Sequence, residues 1–421
     1  MYTYTILNIV SWAVVVIMSI ALIIRLARSS AFKEIFWHRY LIMPVTLIIV
    51  AVLSGIYSYK TYAPDFAMPP FMHTMAPGSG PAPYLPLANI VKFFKSEPKF
   101  ERVADIAQDP NNVPAPITRT APQTVEFHLT TKEVVSEVAP NIYFNYWTYD
   151  GKVPGPMLRV RVGDTVITSL TNDATSLHPH NIDLHSVTGP GGGATLTNVK
   201  PGETKSFKWK ALQPGIYVYH CATMNISTHN AHGQYGLILV EPEGGLPKVD
   251  KEFYVMQGEL YTAGGIGRQG MAVFDAQALM DGNPTYVTFN GRVEAKTKME
   301  VKRGDKVRVY VGNGGINLVS SFHVIGEIFD IVYPEGAMGE GSSLFKNLQP
   351  TIVPAGGAAI VEFTVDVTGR LVLVDHALAR LNKGAWATMN VTGEPNPDVY
   401  SAVESSSTTT ETMPDMKTGG Y

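Results

Sequence analysis

The stretch GIYVYHCATMNISTHNAHGQYG, residues 215–236, holds the only cysteine among 421 residues. Cys221 follows His220 directly, and His229, His232 and Gln234 come soon after. Neighbouring side chains on a β-strand point to opposite faces, so a strand over residues 216–221 would turn His220 and Cys221 into two environments one peptide apart. A thiolate with two imidazoles is the trigonal donor set of a blue-copper centre, completed by a weak axial Met or Gln. Cys221, His229 and an upstream histidine can supply that set. His180, in HPHNIDLH, is the natural upstream choice, and Gln234 stands where an axial donor falls. Met224 competes for the axial place from the loop between Cys221 and His229. Taken singly, an inert buried thiol or a satisfied core histidine accounts for each residue. Their coincidence in one segment points to copper.

Such a cluster needs rigid strands to hold it, and the chain supplies them twice. RVGDTVITSLTND (residues 161–173) matches KRGDKVRVYVGNG (302–314), and VKPGETKSFKWK (199–210) matches VPAGGAAIVEFTV (353–365). PGIYVYHC (214–221) matches TGRLVLVDH (368–376), and each half has a histidine segment, PHNIDLH (179–185) and SFHVIGEIFD (321–330). Short alternating runs bounded by Gly and Pro are β-sandwich strands, and 38 Gly with 29 Pro suit a turn-rich fold. The expected fold is all-β, two tandem Greek-key sandwiches. The expected domains are 123–245 and 246–394, after a Pro-rich linker over 61–122 and before a disordered tail over 395–421. Within the linker, residues 87–94 suit one short helix, and Met68, Met72, His73 and Met75 serve either as apolar anchors or as soft metal donors. A formal charge of −3 gives no footprint for nucleic acid.

Residues 3–24 and 40–59 carry no charge, and each meets the length of about 20 residues that spans a bilayer. The first run exceeds the 7–15 residues or so of a signal peptide's apolar core, and a second span follows it. Residues 1–60 therefore read as a membrane anchor with two transmembrane helices. The loop RLARSSAFKEIFWHR between them holds Arg25, Arg28, Lys33 and Arg39 against Glu34. By the positive-inside rule that loop is cytoplasmic and the rest of the chain lies outside. In a bacterium this means the inner membrane, with the bulk in the periplasm.

PHNIDLHSVTGPGGG, YVYHC, SSFHVIGEIFD and LVLVDHALARLNKGA resemble the copper-containing nitrite reductases, over about residues 115–395. The resemblance implies two cupredoxin domains, a homotrimer, and reduction of nitrite to nitric oxide with one electron and two protons. It implies a type 1 copper on His180, Cys221 and His229. It also implies a type 2 copper on His185 and His220 of one subunit and His376 from a neighbour. Asp183 and His323 would manage protons, and Ile325 would shape the nitrite pocket. The family usually has methionine five residues after the second type 1 histidine, where this chain has Gln234. A harder axial oxygen favours Cu(II) and lowers the potential. His178 and His232 fall outside the family pattern and read as surface residues.

Two rival readings remain. A two-domain multicopper oxidase needs several His-x-His pairs, and only His178-Pro179-His180 qualifies among 11 histidines. A blue-copper electron-transfer protein would have no use for His185, His220 and His376. No Cys-x-x-Cys-His is present, so the chain carries no haem donor of its own. The electron donor is expected to be quinol reached through the membrane spans, or a small cupredoxin or cytochrome c; the spans otherwise serve as a simple tether in lipid.

Overall fold

The computed structural model describes residues 99–294 and 298–403, with isolated positions between 17 and 95. The two apolar spans, the Met68–Met75 cluster, the helix expected over 87–94 and the tail from 404 onward fall almost wholly outside the described residues. No described helix is long and apolar enough to cross a membrane.

In the first half, β1 (Thr124–Ala139), β2 (Ile142–Tyr149), β4 (Thr165–Asn172) and β6 (Thr204–Lys210) form one sheet in the order β2-β1-β4-β6. A second sheet runs β3 (Leu158–Arg161), β8 (Tyr235–Glu241), β7 (Gly215–His220), β5 (Asp183–Leu184). Leu129, Tyr149, Val160, Val166, Leu170, Leu184, Trp209, Tyr219 and Val240 fill the space between them. The pattern follows from alternation. In β4 every second residue is buried, Val166, Thr168, Leu170 and Asn172, while Thr165, Ile167, Ser169 and Thr171 lie nearer solvent.

The second half repeats the plan. One sheet holds β9 (Lys251–Leu260), β10 (Tyr286–Phe289), β12 (Lys306–Asn313), β14 (Ile331–Tyr333) and β16 (Ala358–Thr364), in the order β10-β9-β12-β16-β14. The other holds β11 (Met299–Lys302), β13 (Ser320–Ile325), β15 (Pro350–Val353), β17 (Gly369–Asp375) and β18 (Trp386–Thr392), in the order β11-β18-β17-β13-β15. The sequence repeats become equivalent pairings: β1 runs parallel to β4 as β9 does to β12, and β5 pairs with β7 as β13 does with β17. The architecture is the all-β pair of sandwiches expected from the repeats.

The halves share a third apolar cluster, including Tyr146, Ile216, Val218, Leu237 and Leu239 with Tyr254, Met256 and Tyr310. Beside it lies a buried charge network. Arg159 bonds Glu241 at 2.5 Å and Glu252 at 2.9 Å, and Arg308 reaches Glu252 at 2.8 Å and Glu362 at 2.7 Å through Nε. Residues 105–114 run across the join. Gln108 N–H donates to Val153 O, and Tyr254 N–H donates to Pro110 O.

Candidate metal centres

β7 ends on His220, and β8 begins with Tyr235 directly opposite it. The segment between them leaves the sheet, forms the short helix α1 (Ile226–Ala231) and returns through Gly233, whose φ of +105° leaves no room for a Cβ beside Val153. That excursion carries His229 back over Cys221. His180 arrives from the other side, its N–H donating to Val199 O at 3.0 Å.

The donors converge. His229 Nδ1 lies 3.2 Å from His180 Nδ1, 3.3 Å from Cys221 Sγ and 3.2 Å from Gln234 Oε1. All four side chains are buried. Burial pushes the Cys221 thiol up to about 11, with only partial relief from Thr223 and the Asn181 N–H. Burial, then the neighbouring His180, holds His229 well below the usual imidazole range, and burial likewise lowers His180 against the pull of Glu133. The imidazoles are thereby kept neutral, the form that ligates a metal.

A second cluster lies on the other side of the 220–221 peptide. Asp183 pairs with His220 across β5 and β7, which sets both side chains on one face of the sheet. His185 Nε2 stands 3.0 Å from His220 Nε2, and Asp183, His185 and His220 form one group of potential ligands. Burial, then the adjacent His220, lowers His185. Gly192, with φ +53°, lies so close to Asp183 Oδ1 that an added Cβ would sit 1.9 Å from it, which accounts for glycine at that position. His376 does not join this group within the chain. It lies beside His323, ring centroids 5.5 Å apart, where the end of β17 meets the first half of the antiparallel β13. His323 Nδ1 is 2.7 Å from Gln349 O, so that nitrogen donates and the ring's other nitrogen, Nε2, is not the one engaged by that carbonyl. Ile325 is exposed at the end of β13.

A family model described as multicopper oxidase matches residues 133–245. The copper-containing nitrite reductase of Neisseria meningitidis serogroup A is 52% identical over 291 residues, which is 68% of this chain and 74% of that protein. That of Neorhizobium galegae is 34% identical over 307 residues, 68% of this chain and 79% of that one. The chain belongs to the copper-containing nitrite reductases. Among solved structures, copper nitrite reductase from Nitrosomonas europaea is similar with a TM-score of 0.57 and 34% identity, over 65% of this chain and 96% of that one. As a member of the copper-containing nitrite reductases, the chain is a copper-dependent oxidoreductase of cupredoxin-like fold, with type 1 and type 2 copper as cofactors.

The residues fit the metal. A single ring nitrogen can hold one hydrogen bond, yet His229 Nδ1 faces three polar atoms at about equal range. That arrangement suits a cation at their centre better than any set of hydrogen bonds. Asn181 supports the thiol from outside: its N–H points at Cys221 Sγ at 3.4 Å, and its Oδ1 accepts from Ala222 N–H at 2.6 Å.

His232 corrects the sequence reading. It is buried, stacked on Trp147 at 4.3 Å between ring centroids and on Phe144 at 5.0 Å, and burial lowers it to about 4. It packs in the wall behind His229, because the turn at Gly233 folds the whole loop inward. His178 is only partly exposed and bonds Glu133 at 3.0 Å. Asn181, Glu133 and Trp147 went unread in the sequence. Glu133 had one signal: it shares the inward parity of Leu129, Thr131 and Val135 on β1.

Proposed function

We propose that the chain reduces nitrite to nitric oxide and water, consuming one electron and two protons per turnover. The observation that carries this is the single peptide joining His220 to Cys221, which ties the two donor sets together in a chain of this family. Copper would supply the one-electron couple at both sets. His180, Cys221 and His229 would hold the type 1 ion, with Gln234 Oε1 as a further donor. His185 and His220 would hold the type 2 ion, completed by His376 of a neighbouring subunit in a homotrimer. Asp183 stands beside that site, where it can hold a proton for the departing oxygen. His323, fixed through Nδ1, presents Nε2 for the second. Ile325, exposed in the single chain, would wall the nitrite pocket once the neighbour closes over it. Exposed Ile325, Ile328, Phe345 and Ile352 in the second half favour such a subunit contact.

The multicopper oxidase reading lacks a trinuclear set among the described residues, and the one His-x-His pair turns His178 towards Glu133. A pure electron carrier leaves the Asp183–His185–His220 cluster without a task.

The reading extends to the N-terminus. Residues 1–60 would anchor the trimer in the bacterial inner membrane, with the catalytic halves in the periplasm and quinol feeding the type 1 centre directly or through a partner. Its setting is denitrification. Unchanged quinol-dependent turnover after deleting residues 1–60 would remove the direct quinol route. The test of the central claim is copper content and an EPR spectrum of the detergent-purified chain before and after nitrite. Two coppers per chain and a type 2 signal that moves with nitrite are expected. One blue copper with no nitrite response in fully loaded protein would refute it.

A further inference from the structure

Glu133 stands on β1 directly opposite Trp147 on β2, in the wall behind the Cys221 cluster. Its side chain is fully buried. One oxygen, Oε1, accepts from the N–H of Leu177 at 2.7 Å and of His178 at 2.9 Å, and lies 3.0 Å from His178 Nδ1 and 3.6 Å from His180 Nε2. The other oxygen and His180 Nε2 have no hydrogen-bond partner. Lys132, the adjacent cation, points to the other face and is held by Glu101. Trp147 covers the assembly, its ring centroid 4.4 Å from that of His178 and 4.6 Å from that of His229.

A buried carboxylate without a lysine or arginine asks for charge compensation from elsewhere. The nearest group able to carry positive charge is His178, 3.0 Å away, and it is partly exposed; next to it in the buried interior is an ion held between His180, Cys221 and His229. A divalent ion there is balanced by the Cys221 thiolate and Glu133 together, whereas a monovalent ion leaves one negative charge in excess. We propose that Glu133 is a positioning residue of the type 1 centre. Its charge, 3.6 Å from His180 Nε2, orients that ring and favours the oxidised ion, with His178 and Trp147 shielding it from water. The carboxylate–histidine–metal arrangement is a general means of setting ligand basicity. Here it would act in the same sense as an axial Gln234, and this inference rests on the copper reading above.

The experiment is a redox titration of the full copper-loaded chain, followed by its thiolate–copper absorption and by EPR, for the natural protein and for Glu133→Gln. At fixed poise the variant's reduced-to-oxidised ratio rises about tenfold, which is about 59 mV for one electron, and its EPR parameters change. A Glu133→Gln centre that binds copper with unchanged ratio and spectrum overturns the proposal. Should that variant fail to fold, Glu133→Asp keeps the charge but withdraws the oxygen from His180. Copper affinity then falls about 10–100-fold, and unchanged affinity and spectrum overturn the proposal equally. Absence of a blue centre in the natural protein would instead refute the copper reading itself.

Discussion

Gln234 Oε1 and Cys221 Sγ lie 3.2 and 3.3 Å from His229 Nδ1. The glutamine is fully buried and its Nε2 has no partner, so the side chain is spent on what its oxygen does. Replacing it with a thioether removes an oxygen donor that favours Cu(II). Gln234→Met therefore raises the type 1 potential in a redox titration; an unchanged potential would remove Gln234 from the coordination sphere. At this scale the sequence was legible where chemistry is rare. One cysteine beside a histidine has few structural explanations, and the structure brings His180, Cys221 and His229 within reach of one another. Glu133 and His232 were harder because each depends on a distant partner. Glu133 is 47 positions from His180, and only the fold decides whether a glutamate on an inward parity is buried. His232 looked like a spare surface residue because nothing local announces that Trp147 will lie against it.

Strands were legible through alternation, and the repeats fixed which strands correspond. The charge network joining the halves was not, because its members are scattered over β3, β8, β9, β12 and β16 and each looks ordinary in its own strand. Glu252 is the hub: it accepts from Arg159, Arg308 and Tyr310 at 2.9, 2.8 and 2.6 Å. Removing it leaves two buried guanidinium groups short of a partner. Glu252→Ala should cost about 3 kcal/mol in urea unfolding, and a loss below about 1 kcal/mol would mean that Glu241 and Glu362 suffice. A different element carries a pH signal. Glu327, in the turn after β13, is pushed up to about 7 by burial, then by Asp366 and Asp330. A carboxyl whose folded value lies above its unfolded one binds protons on folding, so its contribution is fullest below about pH 4.5 and is lost as pH rises through about 7. The group is partly exposed, which limits the effect to about 1 kcal/mol. Glu327→Gln should therefore stabilise the chain at pH 8 relative to the natural protein and make no such difference at pH 4; equal effects at both would contradict the shift.

At the scale of the whole molecule, the proposed function makes the two histidine groups halves of one site completed by a second copy. Asp183, His185 and His220 gather on one half, while His376 stands with His323 on the other and does not reach them within the described chain. A C3 arrangement would bring each half-site to its complement in a neighbour, with every interface using the same two surfaces. The consequence is a complementation that a single-chain site forbids. His185→Ala and His376→Ala should each abolish nitrite turnover while leaving the type 1 centre, since neither residue touches Cys221, His180 or His229. Co-expressed in equal amounts and mixed at random, the two chains pair an intact His185 side with an intact His376 side at one interface in four. Turnover should then return to about a quarter of the natural level. Variants mixed only after separate assembly should stay inactive until the subunits exchange. Full inactivity of the co-expressed oligomer would place all three histidines on one chain.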